Sequence, residues 1–247
     1  MLGKISKSVG LSALLLSAGL AYGADAPKID EKSNEVLKAV STHMASLKSF
    51  TYTAHAMTDL ISSSNEKVTY DSDINVSLKR PNKLLAKKSG YVAINFLFNG
   101  NMIVGFNPKS LTYASADESG DLDSLAKILS KYQIEAPMLD FISSDAYSVL
   151  TADVESGTYI GLAEIAGVKC HHLALRQNNV DWQLWVDAGA APLLKRFQVT
   201  SKGLTGSPSY TVDINAWVSN PELADSLFEF TAPTTASKVE FKDLKAE

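Results

Sequence analysis

The sequence predicts an α+β protein: an antiparallel β-sheet with a helix ahead of it and a helical insert in its middle. Three observations predict it. Apolar residues first recur at three- and four-residue spacing between Asp30 and Lys48. Most of the chain after that alternates, or runs apolar in short stretches bounded by turn residues. Helical spacing then returns between Asp121 and Thr151. A 247-residue chain that is 45% hydrophobic and 20% charged has the core for this, and it excludes disorder, low-complexity fibre and a many-span membrane protein.

The N-terminus reads as an export signal. Lys4 and Lys7 precede an apolar stretch from Val9 to Leu20, and Ala21-Tyr22-Gly23 places small residues where signal peptidase requires them. Residues 1–23 are the expected signal peptide and residues 24–247 a single exported domain. The apolar stretch is short of the roughly 20 residues a membrane-spanning helix needs. No cysteine stands directly after it, so the chain is not expected to be a lipoprotein itself. Removing Lys4 and Lys7, and no acid, from 23 basic and 27 acidic residues leaves 21 against 27, a net charge of −6. That balance excludes the basic stripe of a nucleic-acid binder. The lone cysteine, Cys170, excludes an intramolecular disulfide.

Val36, Leu37, Val40, Met44 and Leu47 form the apolar stripe of the first helix, with Asp30 as its N-cap. Strands are expected over 50–57 and 67–78, joined by the polar turn at 62–65. Tyr91 to Phe98, Asn99-Gly100 and Asn101 to Phe106 form a hairpin signal, which Asn-Gly closes as a type I′ turn. Both parities of this hairpin are apolar, Val92, Ile94, Phe96 and Phe98 on one and Leu97, Met102, Val104 and Phe106 on the other, so neither face is fully solvated. A strand over 111–116 leads to an acidic turn at 117–121. The insert places Leu122, Leu125, Leu129 and Tyr132 on one helical stripe, with Asp121 as N-cap, and Pro137 opens a second helix through Met138, Leu139, Phe141 and Ile142. Strands resume over 158–164, 169–176, 182–187, 194–201 and 210–217, with a short last strand at 227–230. No repeat, long linker or composition break marks a second domain.

The run Val76-Ser-Leu-Lys-Arg-Pro-Asn-Lys-Leu84, the Asn99-Gly100 turn and Phe106-Asn107-Pro108, in that order, resemble the strand-RP-strand, DG-turn, YNP pattern of periplasmic lipoprotein carriers of the LolA/LolB-like fold. The later stretch, Gly167-Val-Lys-Cys-His-His-Leu173, Asp181-Trp-Gln-Leu-Trp-Val-Asp187, Pro192 and Leu227-Phe-Glu-Phe-Thr-Ala-Pro233, looks like a family of predicted periplasmic proteins of unknown function. The resemblance implies a curved antiparallel sheet, an open half-barrel, with the N-terminal helix and the helical insert over its concave face. It also implies a hollow for acyl chains. Phe96, Met102, Phe106, Met138, Phe141 and Trp182 are the candidate lining. Arg80, matched to the carriers' Arg-Pro, is a candidate latch to the helical lid or, equally, a surface cation. Asn99 replaces the carriers' usual Asp in the turn.

Chemical signatures are otherwise sparse. Cys170-His171-His172 carries metal-ligating types, but on a strand Cys170 and His172 share one face while His171 points to the other, so at most two converge. The other histidines, His43 and His55, fall on the first helix and first strand. No nucleophile elbow, phosphate-binding loop or H-E-x-x-H is present. The acidic turn at 117–123 lacks the spacing of an EF-hand loop. Trp182 and Trp185 have opposite parity, so one of them faces a hollow unless a bulge intervenes. The expectation is a non-enzymatic periplasmic binding or carrier protein, without metal or cofactor, that shelters a lipid, an acyl chain or a lipidated protein under mobile helices. The alternative is a protein-interaction or sensor module of envelope stress or assembly on the same scaffold, with an envelope protein as partner.

Overall fold

The computed structural model describes residues 28–134 and 136–244; the expected signal peptide and its cleavage point lie outside them. In chain order the elements are β1 (Lys28–Ile29), α1 (Glu31–Ser46), β2 (Ser49–Ile61), β3 (Lys67–Lys79), β4 (Lys83–Lys88), β5 (Ile94–Phe98), β6 (Met102–Asn107), β7 (Thr112–Asp117) and α2 (Leu125–Lys131). A 3₁₀ turn at Leu139–Ile142 and α3 (Ala146–Thr151) follow, then β8 (Ser156–Ile165), β9 (Val168–Arg176), β10 (Val180–Asp187), β11 (Leu194–Ser201) and β12 (Ser209–Ser219). A 3₁₀ turn at Asp225–Phe228, β13 (Ser237–Lys238) and a last 3₁₀ turn at Phe241–Asp243 end the described chain.

The strands neighbour one another in the order β1-β8-β9-β10-β11-β12-β2-β3-β4-β5-β6-β7-β13, so the sheet is unclosed. Pairings from β3 to β7 and from β8 to β11, and that of β11 with β12, are antiparallel, while the two-residue strands at the ends pair in parallel. This is the expected class: α+β, mostly antiparallel, with few helices.

Four expectations are corrected. Residues 227–230 are not a strand: the Asp225–Phe228 turn is 3₁₀ and its chain crosses a sheet face instead of joining an edge. The helix opened by Pro137 is a single 3₁₀ turn, because Ser143, Ser144 and Asp145 compete for backbone bonds, and Asp145 Oδ1 accepts from Ser148 N to start α3. Asp121 caps the turn ahead of α2, its Oδ1 accepting from Ser124 N at 2.9 Å, while the helix itself begins at Leu125. The β5–β6 register puts Gly100 and Asn101, not Asn99 and Gly100, at the centre of the turn. Gly100 has φ +88° and Asn101 is not among the positive-φ residues, the pattern of a type II′ turn. Asn99 stands beside it, its Oδ1 accepting from the amides of Asn101 and Met102 at 3.1 Å each.

The chain divides into two compact units. The first comprises the chain through Ser46, Met57–Tyr70 and Pro137–Asp213. Here Asp30 caps α1 through Ser33 N at 2.7 Å, and its own amide donates to Gly157 O at 3.0 Å, which fixes the helix start to β8. Val36, Leu37, Val40 and Met44 are buried, as the stripe requires, and α1 packs on β8, α3 and the Leu139–Ile142 turn.

The second unit comprises Leu47–Ala56, Asp71–Ala136 and Ile214–Glu247. Its strands β3 to β7 have two faces set by register. One carries Leu78, Leu84, Phe98, Ile103 and Gly105; the other carries Leu85, Leu97, Met102, Val104 and Phe106. Both are apolar, and the C-terminal segment covers both. On the Val104 face Phe228, 1% exposed, packs on Leu85, Leu97 and Val104, with Leu223, Phe230 and Met102 around it. Asp225 is held there by Lys79 and Lys83, each at 2.7 Å. The chain then pairs as β13 with the edge strand β7, and beyond it Phe241 and Leu244 lie over Gly105 on the opposite face.

Phe228→Ala removes the buried anchor of this wrap and is expected to cost about 3–5 kcal/mol in denaturant unfolding. Hydrogen bonds from Lys79 and Lys83 push the Asp225 carboxyl down to about 2 from an ordinary 3.8. A depressed carboxylate stabilises above its unfolded pKa, and that contribution is lost as pH falls toward the folded one. Limited proteolysis at residues 223–230 should therefore accelerate between about pH 4 and pH 2 in wild type, and Asp225→Asn should remove that dependence.

Candidate functional site

The Gly105 face of the second unit is apolar, unevenly covered and contains one cation. Its first row, Leu78, Leu84, Phe98 and Ile103, is buried, with Leu78, Phe98 and Ile103 at 0% exposure. The next two rows, running Ala86–Phe96–Gly105 and Ile74–Lys88–Ile94 across the strands, are half-buried at Ala86, Phe96, Ile74, Lys88 and Ile94. Phe241 and Leu244 of the C-terminal segment lie over Gly105 in the first of these rows, beside Ile94 of the second. A Cβ on Gly105 would stand 2.5 Å from Leu244 Cδ2, so the missing side chain makes the notch that receives the leucine. Phe241 sits beside it, its ring 4.8 Å from that of Tyr132 after α2. Among the described residues, no hydrogen bond ties residues 240–244 to the rest of the protein; their bonds are to one another.

The candidate lining residues divide between the faces and the units. Phe96 lies on the Gly105 face. Met102 and Phe106 lie on the opposite face, under the C-terminal segment, where Phe106 meets Phe230 at 5.9 Å. In the first unit Phe141 and Trp182, both 3% exposed, meet around Phe197 at 5.4 and 6.4 Å as packed core. Met138 precedes the 3₁₀ turn and its carbonyl accepts from Phe141 N. Arg80 is half-buried: its Nε donates to Leu47 O at 3.1 Å and its amide to Lys48 O at 2.8 Å. Burial opposes its charge and Asp123, just ahead of α2, supports it. The adjoining Pro81 carbonyl accepts from Leu122 N at 2.9 Å, so this corner joins the start of β2 to the approach to α2.

Cys170, His171 and His172 do not form one centre. Cys170 is fully buried, and burial followed by Asp187 pushes its thiol up, away from the thiolate a nucleophile needs. His171 bonds Tyr159 Oη at 2.9 Å on one face. On the other, His172 Nε2 bonds Gln183 at 2.9 Å and the ring stacks on Trp185, which also receives the Arg196 guanidinium. His55 sits between Asp71 and Asp73, at 2.8 and 3.2 Å, on exposed strand surface. Among the described residues, no three His, Cys, Asp or Glu side chains are placed to hold a metal ion.

Two half-buried charges escaped the sequence reading. Lys88 had a signal: in a strand, Lys87 and Lys88 point to opposite faces, and one face is apolar. Asp140, inside the Leu139–Ile142 turn, had none, because a 3₁₀ turn does not present the face a helix would. Burial pushes the Asp140 carboxyl up to about 6 from 3.8. A raised acid favours the folded state while protonated, so stability falls as pH rises from about 4 through 6. Asp140→Asn should flatten that slope and raise stability at pH 7 by on the order of 1–3 kcal/mol in urea unfolding.

The model of the family described as "Predicted periplasmic protein (DUF2092)" matches residues 33–242. Among solved structures, an uncharacterized conserved protein from Thermus thermophilus superposes with a TM-score of 0.51 at 9% identity, over 85% of this chain and 99% of that one. At such identity the likeness is one of fold. The lipoprotein LppX from Mycobacterium tuberculosis gives a TM-score of 0.42 at 14% identity, over 77% of this chain and 97% of that one. A LolA superfamily protein from Nitrosomonas europaea gives 0.37 at 13% identity, over 79% and 96%. No curated protein matches the sequence. Among the described residues, no helix is long and apolar enough to cross a membrane. With the family model spanning the first helix, the sheet and nearly all of the C-terminal wrap, the chain belongs to the DUF2092 family of predicted periplasmic proteins.

Proposed function

We propose that this chain is a non-enzymatic periplasmic binding protein that carries a hydrophobic ligand, a lipid or acyl chain, on the Gly105 face of its second unit. The observation that carries the reading is the contrast between the two faces there. The Val104 face is sealed by a fully buried phenylalanine and two ion pairs. The Gly105 face is closed at Gly105, beside Ile94, by two half-buried side chains without a hydrogen bond to their surroundings. Such a cover is replaceable by another apolar group at little cost, and each buried methylene of that group returns about 0.8 kcal/mol. Arg80 serves as a latch in this reading, holding the approach to α2 while the cover moves. The buried thiol of Cys170 and the engaged ring of His172 supply no nucleophile and base.

One observation favours the second reading, an interaction module. Ile160 and Leu162 on β8 are 55% and 54% exposed, and among the described residues no strand pairs with that edge beyond Gly157, so past the Tyr159 amide, which Asp30 holds, it is available to a partner strand.

The readings separate in one experiment. Protein purified from its native envelope should release a stoichiometric acyl lipid on denaturing mass spectrometry and, once delipidated, should bind a neutral fluorescent apolar probe that acyl chains displace. Absence of lipid together with absence of probe binding overturns the carrier reading. A protein crosslinked to residue 160 or 162 in the same preparation would move the assignment to the interaction module.

A further inference from the structure

The Gly105 face carries a charge that its neighbours do not balance. Lys79 and Lys83, on the Val104 face, are paired with Asp225, and Lys87 on that face is exposed. Lys88 points the other way. It stands directly across from Ile74 on one side and Ile94 on the other, next to the row that carries Ala86 and Phe96. Among the described residues its ammonium makes no ion pair or hydrogen bond, and it is the one charged residue that β3 to β7 present on this face. A half-buried ammonium without a partner is costly, and the cost disappears when an anion is brought to it. Burial also pushes the Lys88 amine down, as expected for a cation removed from water without compensation.

We propose that Lys88 is the charge-pairing end of a site for a single-chain fatty acid: the carboxylate meets its ammonium, and the hydrocarbon lies along Ile94 and Phe96 to Gly105, where it takes the place of Leu244. The inference rests on the carrier reading and adds its ligand class. One ammonium neutralises one carboxylate and leaves no excess charge in the apolar rows. One acyl chain matches the single leucine side chain seated in the Gly105 notch, with Ile94 Cδ1 3.9 Å from where a Gly105 Cβ would stand.

The test uses the full mature chain, delipidated, as wild type, Lys88→Met and Lys88→Arg, each checked for native circular dichroism. Displacement of the neutral probe N-phenylnaphthylamine is followed with dodecanoate, with its uncharged methyl ester and with a diacyl phosphatidylglycerol. Lys88→Met is expected to weaken dodecanoate on the order of tenfold or more while the ester displaces the probe as before, and Lys88→Arg should retain most of the acid's affinity. Equal dodecanoate affinity in wild type and Lys88→Met, or no preference for acid over ester in wild type, overturns the Lys88 site and leaves the carrier reading intact. Phosphatidylglycerol binding more tightly than dodecanoate, with the same dependence on Lys88, overturns the single-chain assignment. Failure of every ligand to displace the probe, or of the probe to bind, overturns both readings.

Discussion

A hairpin that is apolar on both faces has to be covered twice, and the second unit is organised around that constraint. Strands β5 and β6 put Leu97, Met102 and Val104 on one side and Phe96, Phe98 and Ile103 on the other. The chain meets the requirement with its own C-terminal segment, which crosses one face, pairs briefly with the edge strand β7, and places Phe241 and Leu244 on the other face. The two halves of this wrap differ in kind. The first is a structural seal, since Phe228 is excluded from water and Asp225 is held between two lysines. The second, Phe241 and Leu244, rests on a glycine notch through apolar contact. The functional reading follows from that asymmetry, because a cover made only of apolar contact is the part of the structure that a hydrophobic ligand can replace.

The same physics marks the first unit as support. Its helix α1 is fixed at the start by Asp30 to both Ser33 and β8, and its aromatic residues Phe141, Trp182 and Phe197 fill space against one another. The polar strand face there, half-buried, is a run of satisfied contacts, His172 to Gln183 to Gln198 to Thr211, with Arg196 paired to Asp213. A network closed in this way holds adjacent strands together and presents few unmet donors to a ligand. Asp140 is the exception, a carboxyl whose burial works against the fold at neutral pH.

Much of this was legible in the sequence, for identifiable reasons. Period-2 alternation and helical spacing located α1 and most strands, since both follow directly from which side chains meet the core. The double-sided apolar hairpin was also visible, but what covers it was not. Leu227-Phe-Glu-Phe230 alternates like a strand, and only the packing of Phe228 on Leu85, Leu97 and Val104 shows that it lies on a sheet face. Phe96 was grouped with Met102 and Phe106 as candidate lining by apolar character and predicted placement, although strand parity sends Phe96 to one face and the other two to the opposite one. Phe141 and Trp182 illustrate the same limit: a large apolar side chain looks the same in a sequence whether it lines a hollow or fills a core. Lys88 shows the reverse: the Lys87-Lys88 pair in a strand with one apolar face held the signal for a half-buried cation, and the sequence reading passed it over.

The most direct measurement is methyl nuclear magnetic resonance of the mature chain, labelled at Ile, Leu, Val and Met, as dodecanoate is added. The account predicts shift changes at Ile74, Ile94 and Leu244, on and above the Gly105 face, with Leu97, Met102 and Val104 unmoved beneath the seal. Changes centred on Leu97, Met102 and Val104, or a spectrum that dodecanoate leaves unaltered, would contradict it.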